Sequence, residues 1–289
     1  MRRYSVPRQV WRVFYPIIVY LAAQALAEMA IAVKAFMGPL ARRGFIAAPA
    51  EVWTIINEGM NDFLRMTLPA LAIAALVSLP LLGMYLSNDR EDRMKAGAAP
   101  WPFHGGVAAL AIVLGAAACL LGNALISLSG IGEVSNSFIN VETMLFSSNI
   151  FVEIAIVGVL IPIVEELIYR GLAFRRMRDS ISFVPAALIT ALLFALVHGN
   201  IVQGLYAFGT GILLAYVYER SGSLAAPILL HMTANICSVL FTEITSLQNL
   251  FVNRAFFFGS MAAAAVLIVV CILVIESTHI LRQKRGLER

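Results

Sequence analysis

Long apolar runs separated by short polar segments dominate this chain of 289 residues. A helix that crosses a bilayer needs about 20 mainly apolar residues, and about eight stretches approach that length. The pattern therefore predicts an all-α, polytopic membrane protein with about eight transmembrane helices. The predicted spans are Phe14–Val33, Met66–Tyr85, Gly105–Leu128, Asn149–Phe174, Phe183–His198, Ile201–Tyr218, Leu224–Phe241 and Ala255–Glu276.

Composition supports this interpretation and removes one class of function. Hydrophobic residues make up 60% of the chain and charged residues only 13%, whereas soluble domains carry about 25% charged residues. The net charge of +4 is better explained by topology signals than by nucleic-acid binding. We therefore expect an integral membrane protein in contact with lipid, and no nucleic-acid partner.

The basic residues between the spans are distributed unequally. Of the 21 Lys and Arg residues, 16 fall on the side of the N-terminus and five on the opposite side. Cytoplasmic connections carry an excess of Lys and Arg. We therefore predict that both termini are cytoplasmic and that the membrane is the cell membrane.

A long connection, Lys34 to Arg65, separates the first two predicted spans. After Pro49 its apolar residues, among them Val52, Ile56 and Met60, recur at helical spacing with polar residues between them. This pattern favours an interfacial amphipathic helix that leads into the second span. Its role in function stays open.

Several polar residues lie inside the predicted spans, where they are costly and usually face a bundle interior or a cavity. Glu28, Asn123 and Glu153 are interpreted as structural or pore-lining, with no assigned role. The other polar residues lie in the fourth, fifth and seventh spans and are the candidate site residues. They are Glu165, Glu166, Arg170, His198, His231 and Asn235.

The two adjacent glutamates differ in their sequence neighbours. Glu166 and Arg170 are four residues apart, so they share a helix face and can form an ion pair. Glu165 is turned about 100° away and has no cation nearby in sequence. A buried carboxylate without a partner is suited to general-base work near neutral pH. We therefore assign Glu166 an architectural role and Glu165 the candidate catalytic role.

The histidines and the asparagine can reach the same layer as Glu165. His231 and Asn235 are four residues apart and can face one site. With a rise of about 1.5 Å per residue, these groups lie near the middle of an apolar core about 30 Å thick. The same rise places His198 deeper in the membrane than the other groups. Its helix must therefore tilt or start late to bring His198 to their level.

Three motifs occur in order: Glu-Glu-x-x-x-Arg at Glu165–Arg170, Phe-x-x-x-His at Phe194–His198, and His-x-x-x-Asn at His231–Asn235. Together they resemble the CPBP family of intramembrane proteases, which includes CAAX prenyl proteases and bacteriocin-processing proteins. The resemblance covers about Asn149 to Phe241. It implies three regions, namely three N-terminal spans with the amphipathic helix over 1–148, a protease core of spans four to seven over 149–241, and a final span with a basic tail over 242–289.

The resemblance also implies a mechanism. Glu165 would activate a water molecule with help from His198, and His231 and Asn235 would stabilise the oxyanion. Glu166 and Arg170 would hold Glu165 in place. The substrate would be a peptide or a membrane-protein segment; its identity, any prenyl group on it and the oligomeric state of the protein stay open.

A metal is an alternative to this mechanism. Glu165, His198 and His231 are acceptable zinc ligands, and three protein ligands plus water form a catalytic zinc arrangement. However, no His-Glu-x-x-His motif is present, and the oxyanion roles favour a metal-free glutamate mechanism.

Two other classes of function compete with a protease. Intramembrane Glu and His residues also serve proton-coupled transporters, although the paired broken helices of inverted repeats are not evident. A non-catalytic membrane scaffold or immunity-type protein would keep the site but act by binding a partner. The behaviour of Glu165→Gln separates these classes.

Overall fold

The computed structural model describes residues 5–43, 49–97, 105–146 and 148–284, and every regular element in these ranges is helical. The predicted all-α, polytopic membrane architecture is confirmed. We number the elements in chain order. They are α1 Val6–Arg43, α2 Pro49–Lys95, α3 Gly105–Ser129, α4 Asn136–Leu145, α5 150–178, α6 Phe183–Leu196, α7 Ile201–Ser221, α8 Ala225–Glu243, α9 Thr245–Val252 and α10 Arg254–Lys284.

Six helices of the described ranges, α1, α2, α3, α7, α8 and α10, are long and apolar enough to cross a bilayer. The helix α6 has 14 residues, about 21 Å, which is shorter than an apolar core of about 30 Å. The helix α5 is long enough but changes its hydrogen-bonding pattern along its length. The count of eight spans therefore stays a prediction.

The connection predicted between the first two spans is mostly helix in the described residues. The helix α1 continues through Arg43, and α2 runs from Pro49 through the second span without a break. Ile55 is buried, and a Cβ on Gly59 would lie 2.5 Å from the ring of Phe36, so this part of α2 packs closely on α1. Because the two helices pack against each other, both continue past the length of an apolar core. Residues 44–48 of the connection lie outside the described residues.

The predicted amphipathic helix is present as the first turns of α2. Its apolar residues Val52, Trp53, Ile56 and Met60 are exposed in the protein. The rest of the described protein thus leaves their apolar surface uncovered. Their position at a membrane interface stays a prediction.

The helix α5 alternates between α-helical and π-helical turns. Two π-helical segments, Ile154–Leu160 and Leu167–Phe174, flank the short α-helical segment Ile161–Glu166. Pro162 has no N–H to donate, and the N–H of Ile161 donates to the carbonyl of Ile156, five residues back. π-Helical turns within α-helices are frequent at functional sites, and here two such segments flank the acidic pair.

The helix α5 is the central element of the fold, in contact with α1, α2, α6, α7 and α8. Small residues allow this close packing. A Cβ on Gly158 would lie 2.8 Å from the side chain of Ile236, and one on Gly171 would lie 2.8 Å from Leu86. The charges of Glu165 and Glu166 are thus carried by a helix that is enclosed by its neighbours.

A buried ion cluster joins α1, α2 and α5 at one end of the bundle. Asp89 on α2 accepts from Arg12 on α1 at 2.8 Å and from Nε of Arg176 on α5 at 2.6 Å. Arg176 also donates to the carbonyl of Arg12 and to the hydroxyl of Tyr15. Arg12 and Arg176, two basic residues assigned to the same side of the membrane, therefore lie together at one end of the bundle.

We expect Asp89→Asn to destabilise the fold by about 3–5 kcal/mol, because it leaves the buried guanidinium of Arg176 and the half-buried one of Arg12 without their carboxylate. Thermal and denaturant unfolding of the purified protein in detergent measures this change. Glu91→Gln is the matched control, since the Glu91–Lys95 pair lies on the surface and should leave the melting temperature unchanged. Equal effects of the two substitutions would contradict a structural role of the cluster.

Candidate active site

A cavity of about 380 Å³ lies among α1 to α8, and four of the six predicted site residues line it. Glu165 comes from α5, His198 from the turn after α6, and His231 and Asn235 from α8. Glu166 and Arg170 are fully buried and lie behind this wall. The structure thus brings all the predicted site residues into one region.

Glu166 is the junction of a buried polar network. Its Oε1 accepts from Nη1 of Arg170 at 2.8 Å and from Nδ1 of His231 at 2.9 Å. The ion pair expected from the sequence spacing is therefore present. The carboxylate also holds His231, a contact across 65 positions of the chain that local spacing could not indicate.

Arg170 extends the network to the neighbouring helices. Its Nη2 donates to the carbonyl of Gly211 on α7 at 3.1 Å, and its guanidinium lies 4.8 Å from the ring centroid of Phe194 on α6. A Cβ on Gly211 would lie 3.0 Å from Ala191, so glycine allows α6 and α7 to approach closely there. One charged side chain thus fixes α5 relative to two other helices.

Glu165 faces His231 from the opposite side of the imidazole. Oε2 of Glu165 lies 3.7 Å from Nε2 of His231, which is longer than a hydrogen bond. The separation leaves both groups free to bind a third molecule between them. His231 therefore bridges the two carboxylates, held by Glu166 and directed at Glu165.

His198 has a defined tautomer when neutral. Its Nδ1 lies 2.7 Å from the carbonyl oxygen of Phe194, and because a carbonyl can only accept, Nδ1 carries the hydrogen. Nε2 is then the nitrogen with a free lone pair. The helix α6 ends at Leu196, and His198 reaches the site from the turn that follows, which accounts for the depth mismatch expected for a longer helix.

Asn235 binds a backbone carbonyl that the distortion of α5 leaves available. Its Nδ2 donates to the carbonyl of Val157 at 3.0 Å. The amide five residues further along is that of Pro162, which has no hydrogen, and the N–H of Ile161 is used by Ile156. A primary amide carries two N–H groups, so Asn235 keeps one donor for the cavity.

Phe194 was not among the predicted site residues, although it is part of one motif. Its ring makes edge contacts with the rings of Tyr169, His198 and His231, with centroids 5.0, 4.7 and 5.7 Å away. The ring is 1% exposed and restricts the motion of both imidazoles. The Phe-x-x-x-His spacing was the signal that could have identified it.

The sequence-based prediction also missed the wall formed by α4. The helix begins with Ser135 as its N-cap, and Phe138, Val141 and Leu145 line the cavity. Their spacing of three and four residues was a usable sign of an amphipathic helix. Its ten residues are too few for a span, so they are not among the long apolar runs that predict transmembrane helices.

The three polar residues left without a role occupy different places. Glu28 and Asn123 line the cavity, although Nδ2 of Asn123 donates to the carbonyl of Cys119 within its own helix. Glu153 does not line this cavity and accepts from the N–H of Ser148 at the start of α5. The two interpretations, pore-lining and structural, thus each apply to part of the set.

The residues considered for zinc do not fit a metal ion in this arrangement. Among the described residues, no three His, Cys, Asp or Glu side chains are grouped so that they could hold one. Nδ1 of His231 is bonded to Glu166, so only its Nε2, 3.7 Å from Oε2 of Glu165, is open to the cavity. No step is therefore derived through a metal.

Comparisons with known proteins place the site in a matched segment. Residues 147–237 match the family model described as type II CAAX prenyl endopeptidase Rce1-like. The chain is 30% identical over 79 residues to YdiL of Bacillus subtilis (strain 168), named as a candidate membrane peptidase, and the match covers 27% of this chain and 32% of that protein. It is 28% identical over 106 residues to the membrane-embedded CAAX protease MroQ of Staphylococcus aureus (strain USA300), covering 35% and 43%.

These matches are partial. The chain spans less than half the length of either relative, and no solved structure matches significantly. The family match contains all six predicted site residues, and it excludes α1, α2 and α3. The walls that these three helices add to the cavity therefore have no counterpart in the matched segment.

We expect substitutions of the two adjacent glutamates to change the free energy of unfolding by very different amounts. Glu166→Gln should cost about 3–5 kcal/mol, because it leaves the buried guanidinium of Arg170 without its counter-charge. Glu165→Gln should leave the free energy of unfolding nearly unchanged, because Glu165 lacks a hydrogen-bonded cation. Denaturant unfolding in detergent compares the two variants, and a reversed order would contradict the architectural role of Glu166.

Proposed function

We propose that this protein is an intramembrane endopeptidase, because residues 147–237 match the family model described as type II CAAX prenyl endopeptidase Rce1-like. The observation that carries the proposal is the division of the acidic pair. Glu166 is used by Arg170 and His231, whereas Glu165 faces the cavity beside two imidazoles. Glu165 is the general base in this proposal.

The reaction starts with a water molecule beside Glu165. The carboxylate takes a proton from the water as its oxygen attacks the carbonyl carbon of the substrate. Nε2 of His198 accepts the second hydrogen of the water and fixes its orientation. Glu165 then returns the proton to the leaving amide nitrogen as the carbon–nitrogen bond breaks.

His231 and Asn235 stabilise the oxyanion of the tetrahedral intermediate. Asn235 contributes the N–H that is not bonded to Val157. His231 contributes Nε2–H when the ring carries a hydrogen on both nitrogens, and Glu166 then accepts the hydrogen bond from Nδ1. Glu166 therefore supports catalysis through His231 in addition to binding Arg170.

The surroundings of the cavity define the class of substrate. Apolar side chains such as Leu71, Ile126 and Leu145 line the cavity beside the polar site residues, and large hydrophobic side chains cover the outer surface of the protein. A substrate that reaches this cavity is therefore an apolar polypeptide segment in or at the membrane. The protein that supplies this segment is not defined by the site.

Glu165→Gln should lower cleavage by about a thousandfold or more while the protein folds normally, because the base is lost. The measurement is turnover of a mixture of internally quenched peptides with apolar centres by the purified protein in nanodiscs. Glu133→Gln, the same chemical change at an exposed position outside the cavity, should keep wild-type activity.

The same variant separates the competing functions. Cells that carry Glu165→Gln should accumulate uncleaved precursors relative to wild type, which comparative proteomics detects. A folded and fully active Glu165→Gln protein would overturn the proposal. A variant that still complements a deletion would indicate a scaffold, and solute uptake driven by a pH gradient in proteoliposomes would indicate a transporter.

The proposed mechanism uses no metal. We therefore expect the purified protein to keep its peptidase activity in EDTA and in 1,10-phenanthroline, because Glu165 acts on water directly. Metal analysis by mass spectrometry on the same sample should find less than one equivalent of zinc. Loss of activity on chelation with recovery on adding zinc would contradict the metal-free mechanism.

A further inference from the structure

One face of α1 carries a polar stripe toward the site, although α1 lies outside the segment that matches the family. Tyr20, Gln24 and Glu28 are four residues apart and therefore lie on the same side of the helix. Glu28 and Gln24 line the large cavity, and Gln24 and Tyr20 line a second one. The stripe thus follows the site from one cavity to the other.

The second cavity is small and lies behind the catalytic pair. Its volume is about 60 Å³, which is room for at least one water molecule. Glu165 and His198 line both cavities, so these two side chains form part of the wall between them. A water molecule in the small cavity would touch both groups without occupying the space open to a peptide.

The hydroxyl of Tyr20 needs a partner from this space. The side chain is 4% exposed and packs in the central apolar cluster, and its oxygen has no hydrogen-bond partner among the described residues. A buried hydroxyl left without a partner costs about 1–3 kcal/mol, so native proteins usually supply one. The cavity places the catalytic carboxylate and imidazole on its other sides.

We propose that Tyr20, Glu165 and His198 together bind the water molecule that attacks the substrate. The inference rests on the proposed function, and it assigns α1 a water-positioning residue. Tyr20 donates its hydroxyl hydrogen to the water oxygen. The two hydrogens of the water go to a carboxylate oxygen of Glu165 and to Nε2 of His198, the acceptor defined by the bond from Nδ1 to Phe194.

This arrangement leaves one lone pair of the water unused. Three of its four tetrahedral positions are taken by Tyr20, Glu165 and His198, and the fourth is available to the peptide carbonyl in the large cavity. The new carbon–oxygen bond forms from that lone pair. The proton moves to Glu165 and then to the leaving nitrogen, while Tyr20 keeps its own proton throughout.

The test is Tyr20→Phe, which keeps the packed ring and removes only the hydroxyl. We expect kcat to fall about 10- to 100-fold, the effect of losing one hydrogen bond to the reacting water, with KM for the quenched peptides unchanged. Tyr85→Phe is the matched control, because Tyr85 packs against the same cluster and lines neither cavity. It should keep wild-type kcat.

An infrared readout tests the same contact without turnover. The carboxyl bands of Glu165 are identified from the difference spectrum of wild type and Glu165→Gln. They should shift in Tyr20→Phe and stay in place in Tyr85→Phe. If Tyr20→Phe folds poorly, 3,5-difluorotyrosine at position 20 keeps the shape, strengthens the donor and should shift the bands.

The outcomes separate this inference from the proposed function. Activity that depends on Glu165, with wild-type kcat and unshifted bands in Tyr20→Phe, overturns the role of Tyr20 alone. A raised KM with unchanged kcat also overturns it, since Tyr20 would then contact substrate. Shifted bands in a protein without any peptidase activity would support the water site and overturn the proposed function.

Discussion

The buried ion pair between Glu166 and Arg170 is the interaction on which the arrangement of the helices depends. Neither charge reaches water, and an isolated charge in such surroundings is very costly. Each group is also bonded to another helix, Arg170 to the carbonyl of Gly211 and Glu166 to His231. Because both lie on α5, these bonds also fix the direction in which the adjacent Glu165 points.

The architecture and much of the site could be predicted because their causes are local in sequence. Apolar runs long enough to cross a bilayer define a membrane protein whatever its packing. The spacing of Glu166 and Arg170 on one helix face defines their pair. The four-residue spacing of His231 and Asn235 places both on one face in the same way, and the structure has both in the wall of the cavity.

The remaining features depend on contacts between distant parts of the chain. The first π-helical segment of α5 ends beside Pro162, and its Val157 accepts from the amide of Asn235, 78 positions away. The extension of α1 and α2 beyond the apolar core depends on the packing of Phe36 on Gly59. The approach of Tyr20 to Glu165 likewise depends on how α1 packs against α5, which no local sequence pattern predicts.

The two cavities on either side of Glu165 and His198 have a consequence for how the reactants meet. Hydrolysis in an apolar layer is limited by the supply of water, and a polypeptide entering a single chamber would displace the solvent it must react with. Separate compartments remove this competition, since the peptide and the nucleophile occupy different volumes. The water in the small cavity is then present at a high effective concentration when the substrate fills the large cavity.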